Sequence, residues 1–304
     1  MQQELLLNII PFNPPAGKQT FAFYKQKQEG YFPVFKDDLQ GLLDDKFTPL
    51  ELLELQKLYT DFQPAKEGAI ALDIDLSVST RFANHYYRYL IRNYFEGIAD
   101  IMHENFTSET EVWFHNPDKS TAKYKVYNQF TIKVQFGRVS DKPELVLSYD
   151  GTTKVFAKAV SEIYNFNTNL NNWIVCNGVI YKWKYRPAEV INQPQNCYPI
   201  LSNELKPHLE IAFDVPDLKN RYPKYLGFLQ DFYSKYLNND AFRSIIPITD
   251  EGFYKPKADQ FRVINSTSND LLYAGGKTGK EPKKDFKSKG PYQLPKKPSN
   301  FKFF

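Results

Sequence analysis

The sequence predicts an α+β protein, an elongated multi-lobed chain of short antiparallel sheets with two main helices. Short runs of alternating apolar and polar residues, broken by Pro and Gly, recur along the chain. Two longer segments instead carry the helical period of about 3.6 residues. No internal repeat relates one part to another.

Taken in order, residues 5–10, 20–25 and 31–35 read as strands separated by Pro/Gly breaks. Thr48-Pro49 followed by Glu51 opens a helix over residues 49–62, with Thr48 as its cap and proline in the first turn. Residues 69–76 alternate Ile70, Leu72, Ile74 and Leu76 against Asp73 and Asp75, a strand. Ser79 caps the longest helix, residues 80–102, whose rows Phe82/Tyr86/Leu90/Tyr94 and Ala83/Tyr87/Ile91/Phe95 lie at i, i+4 spacing and are expected to be buried.

From residue 111 to 160 the pattern is β again, with 145–149 turning at Asp150-Gly151 into 154–160. Residues 173–176 and 179–185 form a hairpin about Asn177-Gly178, a pair favoured where both central residues need positive φ. A strand is expected near 208–213. The second main helix covers 222–238 with a stripe of Tyr225, Phe228, Leu229, Phe232 and Tyr236. Beyond Ile245 the chain reads as irregular and basic.

An apolar content of 42% is enough for a packed core. Tyr and Phe, 21 and 25 in number, supply core bulk and flat contact surface for bases or partners. No apolar run approaches the roughly 20 residues of a membrane span, and the start of the chain reads as a strand, not a signal. A cytoplasmic protein is expected, with Cys176 and Cys197 as reduced thiols; a single disulfide between them is the alternative.

The charge is unevenly placed. The last 28 residues, 277–304, hold nine lysines against Glu281 and Asp285, leaving 30 basic and 33 acidic side chains in the first 276. All of the basic excess therefore lies in that tail, where Lys277, Lys280, Lys283 and Lys284 lead. The ending Phe301-Lys302-Phe303-Phe304 alternates like a strand just begun, as if interrupted before a further domain.

Two other features suggest phosphate and base contact. Arg81, Arg88 and Arg92 fall on one side of the long helix, a guanidinium ridge spaced to meet successive phosphates. The plain alternative is the wet face of an amphipathic helix. On the hairpin's second strand Tyr181, Trp183 and Tyr185 alternate with Lys182, Lys184 and Arg186, so one face can stack while the other tracks a backbone. An ordinary half-buried strand would look the same.

Catalytic signals are weak. Asp73 and Asp75 share a strand face, yet no third ligand is placed to complete a magnesium shell. Gly275-Gly276-Lys277-Thr278 is similar to the end of a phosphate-binding loop, but Leu271 stands where its first glycine belongs, and Glu281-Pro282-Lys283-Lys284 is not expected to open the required helix. His85, His103, His115 and His208 show no ligand spacing. No cofactor and no catalytic residue is read.

Several passages, in order, resemble prokaryotic Argonautes. Asn220-Arg-Tyr-Pro-Lys-Tyr225, Ile245-Ile-Pro-Ile248, Leu271-Leu-Tyr-Ala-Gly-Gly-Lys-Thr278 and Lys289-Gly-Pro-Tyr292 are similar to the second linker before the MID domain, and Ser148-Tyr-Asp-Gly-Thr-Thr-Lys-Val155 to the end of the first linker. The resemblance implies an N domain over 1–105, linker L1 over 106–160, a PAZ-like, OB-like barrel module over 161–255, and linker L2 over 256–304, without MID and PIWI. It implies a non-catalytic lobe that holds a single-stranded guide, DNA or RNA, and its target strand. The guide 3′ end would meet Tyr181–Arg186 with Tyr164, Arg221 and Lys224. Any guide-dependent cleavage would belong to the PIWI half. The rival readings are a scaffold that docks a MID–PIWI chain through the basic segment and, more remotely, a metal-dependent nuclease at Asp73 and Asp75.

Overall fold

The computed structural model describes residues 5–39, 41–64, 66–104, 109–163, 173–185, 187–212, 221–257, 259 and 271–291. Arg186, Tyr164 and the 301–304 ending lie outside them. The chain divides into two compact units, Met1–Lys255 and Pro256–Phe304.

The first unit contains β1 (Ile9–Pro11), β2 (Lys18–Phe23), β3 (Phe32–Phe35), α1 (Pro49–Glu54), β4 (Lys57–Thr60), β5 (Ile70–Asp75), α2 (Thr80–Phe95), β6 (Ile101–Glu104), β7 (Thr110–Asn116), β8 (Tyr124–Phe136) and β9 (Pro143–Phe156). It continues with β10 (Trp173–Cys176), β11 (Val179–Lys182), α3 (Ala188–Asn192), β12 (Cys197–Pro199), α4 (Arg221–Phe232) and α5 (Asp240–Ile245). The second unit contains β13 (Leu271–Leu272), β14 (Thr278–Gly279) and α6 (Pro282–Lys289).

The α+β class is as expected, but the sheets are not all short or all antiparallel. Eight strands join in the order β1-β9-β8-β7-β6-β11-β10-β12, and β6 meets β11 in parallel. β2–β5, β3–β4 and β13–β14 form two-stranded sheets. The sheet's spine is the β8–β9 ribbon. Alternation along its strands divides their side chains between two cores. Val112, Phe130, Ile132, Val134, Leu145 and Leu147 join the buried faces of α2 and α4 in the larger core. Trp113, Tyr127 and Val155 instead gather with Ile101, Val175 and Ile180 on the other side.

The sheet curls around that second core until Ile200 bridges Val155 and the Leu201 amide donates to the Lys154 carbonyl at 2.8 Å. No closed barrel ladder is seen among the described residues.

Several element limits differ from expectation, each because of a distant partner. The 49–62 helix stops at Glu54, since Lys57–Thr60 pairs residue by residue with β3. Its start is as expected: Thr48 and Glu51 bond reciprocally. Those bonds, with Lys25 alongside, hold the Glu51 carboxyl down at about 2. The 80–102 helix ends at Phe95, before Gly97 at φ +82°, and Ile101–Glu104 becomes a strand. The Ser79 side chain makes no cap bond. Phe82, Ala83, Tyr87, Ile91 and Phe95 are its buried face.

Asp150-Gly151 is a bulge within one continuous strand. Gln129 pairs Gly151 while Phe130 pairs Tyr149, and Gly151 takes φ +102°. The Asn177-Gly178 turn forms as expected, at φ +49° and +76°. Near residue 208 a 3-10 turn, Pro207–Leu209, replaces the expected strand. The second helix is α4, extended by a π-helical turn, Tyr233–Leu237. Cys176 and Cys197, buried and directly opposite on β10 and β12, are joined as a disulfide. Their reading as free thiols is therefore corrected; register, invisible at a separation of 21 residues, brings them together.

Candidate nucleic-acid interface

Arg81, Arg88 and Arg92 do lie along α2, but the ridge is partly covered. The segment after β3 brings Asp38 to 4.0 Å from Arg81 and 3.6 Å from His85. The Arg92 guanidinium lies 5.9 Å from the Phe32 ring centroid. Arg81 remains mostly exposed, while Arg88 and Arg92 are half-buried. Burial first, then the Arg88 charge, pushes the His85 imidazole below its ordinary value against the pull of Asp38. At the far end, Tyr31, Phe32, Tyr89, Arg92 and Asn93 line a hollow of about 330 Å³. An acid from another element was not visible in the helix's own spacing.

The hairpin is less of a platform than its alternation suggested. β11 ends at Lys182, and Trp183–Tyr185 form a 3-10 turn. Tyr181 and Trp183 pack on Ile174, Val190 and the disulfide, and both are half-buried. Burial raises the Tyr181 phenol pKa. Tyr185 is exposed, with Lys184 Nζ 4.9 Å from its ring centroid. Lys182 turns the other way and sets its ammonium 4.5 Å from the centroid of Trp173. Arg221 and Lys224 stand in the first turn of α4, both exposed.

Asp73 and Asp75 are engaged by their neighbours. Thr20 donates to Asp73 at 2.5 Å, and Ser77 donates to Asp75 through its amide at 2.9 Å and its hydroxyl at 2.6 Å. The Ser77 hydroxyl first, then its amide, hold the Asp75 carboxyl below its ordinary range.

In the second unit a helix does follow the Gly-Gly-Lys-Thr passage, because Pro282 sits in its first turn, where proline is well tolerated. The phosphate-loop reading still fails at Leu271. Gly275 and Gly276 take φ +68° and +73° to return β13 to β14. Asp285 accepts from the Glu281 amide at 2.8 Å and pairs with Lys289 at 2.8 Å, and Lys289 also donates to the Thr278 carbonyl at 2.7 Å. This network lies against Gly279, where a Cβ would collide with Asp285 and Lys289. One lysine is thus used internally. Lys277, Lys280, Lys283, Lys284 and Lys287 are exposed, with Glu281 3.7 Å from Lys284.

One pocket was not anticipated. On the curled side of the sheet, His103, Glu111, Trp113, Gln129 and Trp173 line a hollow of about 250 Å³. Cross-strand register assembles it: His103 faces Glu111, and Trp113 faces Gln129. Trp113 Nε1 donates to Glu111 Oε1 at 2.6 Å. Burial raises the Glu111 carboxyl pKa, opposed by that bond and by His103. Glu111 and Trp113, two apart on one strand, were the available signal.

No family model matches the chain, and no curated protein matches it. Its structure is similar to that of Marinitoga piezophila Argonaute in complex with a 5′ OH guide RNA and target DNA, at 12% identity over 93% of this chain and 45% of that chain, with a TM-score of 0.45. It is also similar to the same Argonaute in complex with the 5′ OH guide RNA, at 13% identity over 93% of this chain and 44% of that chain, with a TM-score of 0.46. The chain spans less than half the length of each of these structures.

Proposed function

We propose that this chain is a non-catalytic nucleic-acid-binding lobe of a guide-directed Argonaute, holding a single-stranded guide and its target by charge neutralisation and aromatic contact. The observation that carries the reading is α6. Its exposed Lys283, Lys284 and Lys287 follow the Gly-Gly-Lys-Thr passage and precede Gly-Pro-Tyr, in the order of the second linker. On this reading residues 1–105 act as the N domain, 106–160 as L1, 161–255 as the PAZ-like module and 256–304 as L2. Arg81, Arg88, Arg92, Arg221, Lys224 and the hairpin residues Tyr181, Lys182, Lys184, Tyr185 and Arg186 are the further candidates for strand contact. Cleavage, if the whole protein performs it, belongs to the PIWI half. Fluorescence anisotropy with labelled single-stranded DNA and RNA tests the proposal. Affinity should fall steeply between about 50 and 200 mM salt; an absence of binding at low salt overturns it.

A second reading rests on a different observation. Leu271, Leu272 and Phe286 are exposed in the second unit, an apolar complement to its lysines. They fit a surface that docks a MID–PIWI half, in the same or a separate chain. Co-purification with such a polypeptide, together with indifference to oligonucleotides, would favour docking over strand binding.

A further inference from the structure

The pocket between Trp113 and Trp173 holds a hydrogen-bonding set that none of the sequence motifs covers. The two indoles wall it, and Glu111, Gln129 and His103 place polar atoms in it. Its volume of about 250 Å³ is below the ~300–1,000 Å³ of sites for drug-sized ligands, so it suits a single ring system and not a base pair.

The polar groups narrow the occupant further. Glu111 gives one lone pair of Oε1 to Trp113, and among the described residues Oε2 accepts nothing. A carboxylate in that state offers two neighbouring acceptors. Gln129 adds an amide that can both donate and accept. A cationic occupant is disfavoured, because Lys182 already places its ammonium 4.5 Å from the Trp173 centroid. A planar, neutral ligand with two adjacent donors and one acceptor fits. Among bases, guanine presents two adjacent donors, N1–H and the exocyclic amino group, beside the O6 acceptor. Adenine pairs one donor with one acceptor, cytosine sets one donor beside two acceptors, and uracil sets one donor between two acceptors.

We propose that this pocket takes one unpaired guanine, with the Glu111 carboxylate accepting from N1–H and the 2-amino group and the Gln129 amide donating to O6. Unpaired bases are read on this edge when splayed from a strand. The inference rests on the nucleic-acid reading and adds a base preference to it.

The test uses the whole chain and mononucleotides, with binding followed by tryptophan fluorescence and confirmed by calorimetry. GMP should bind about tenfold or more tightly than IMP, which lacks the 2-amino group, and than AMP, CMP or UMP. Glu111→Gln keeps an acceptor for Trp113 Nε1 but removes the acceptor pair, so the GMP preference should disappear. Equal affinity for the five nucleotides, no binding of any, or an unchanged preference in E111Q overturns the proposal. The IMP comparison needs no variant and stands even if E111Q fails to fold. Oligo-dT binding, measured in parallel, separates the two claims. Salt-sensitive oligo-dT binding without a guanine preference defeats only the pocket, whereas loss of oligo-dT binding defeats the strand-holding function itself.

Discussion

Tyr94 donates its hydroxyl hydrogen to the Tyr236 carbonyl at 2.7 Å, tying α2 to the π-helical turn that ends α4. A helix's last carbonyls have no partner inside the helix, so one that is covered needs an outside donor. Asn239 completes the arrangement, donating to the same carbonyl at 2.9 Å and to the Tyr94 oxygen at 3.0 Å, while accepting from the Phe242 amide to cap α5. Removing the hydroxyl in Tyr94→Phe breaks this junction and leaves the ring contacts in place. Urea unfolding should show a loss of about 1 kcal/mol. An unchanged midpoint would show that the junction adds no stability.

The α6 lysines should act through phosphates. Lys283→Ala, Lys284→Ala and Lys287→Ala combined should reduce the slope of log affinity against log salt by about two on single strands, roughly 0.7 per lysine. The loss should be similar for every oligonucleotide sequence. A slope equal to that of the parent chain would take these residues out of the strand path.

His85 makes stability depend on pH. Its folded pKa lies below its ordinary value, so its neutral form is favoured in the fold. The contribution is therefore complete above the ordinary histidine pKa and is lost as pH falls through the lowered folded value. The groups facing the imidazole are Arg88, Asp38 and, through Asp38, Arg81. Thermal midpoints measured from about pH 7.5 to pH 5 should fall less steeply in His85→Gln than in the parent. Parallel curves would assign the acid sensitivity to another group.

The disulfide closes a loop across β10, β11 and β12. For a separation of 21 residues, loop entropy gives a stabilisation of roughly 3 kcal/mol. Added reductant should lower the unfolding midpoint of the parent chain by a corresponding amount. Cys176→Ala with Cys197→Ala should start lower and ignore the reductant. Equal reductant sensitivity in both proteins would place the effect elsewhere.

What could be read from the sequence was mostly local. Thr48 with Glu51, the Asn177-Gly178 turn and the Ala83/Tyr87/Ile91/Phe95 row of α2 are determined by neighbours a few residues apart, and they appear as expected. Of the Phe82/Tyr86/Leu90/Tyr94 row only Phe82 is fully buried. The misread elements depend on residues far along the chain. Lys57–Thr60 continues a helical pattern until β3 is there to pair with it. Asp150-Gly151 has the composition of a turn, and only the register against Gln129 and Phe130 makes it a bulge. The arginine ridge was visible, while its cover by Asp38 and Phe32 was not. The Trp113–Trp173 pocket depends on a sheet curling back on itself, which no spacing in the chain records.

The β8–β9 ribbon passes Asp150 without a break, so two backbones serve both hydrophobic interiors. Neither interior can be lifted out as a free-standing piece. A truncation at residue 160 would strip the curled half of its closing strands and leave Trp113, Tyr127 and Val155 facing water, so such a fragment should be insoluble. Dissection of this protein should proceed by point substitution within the intact first unit, because no cut through the ribbon preserves either side.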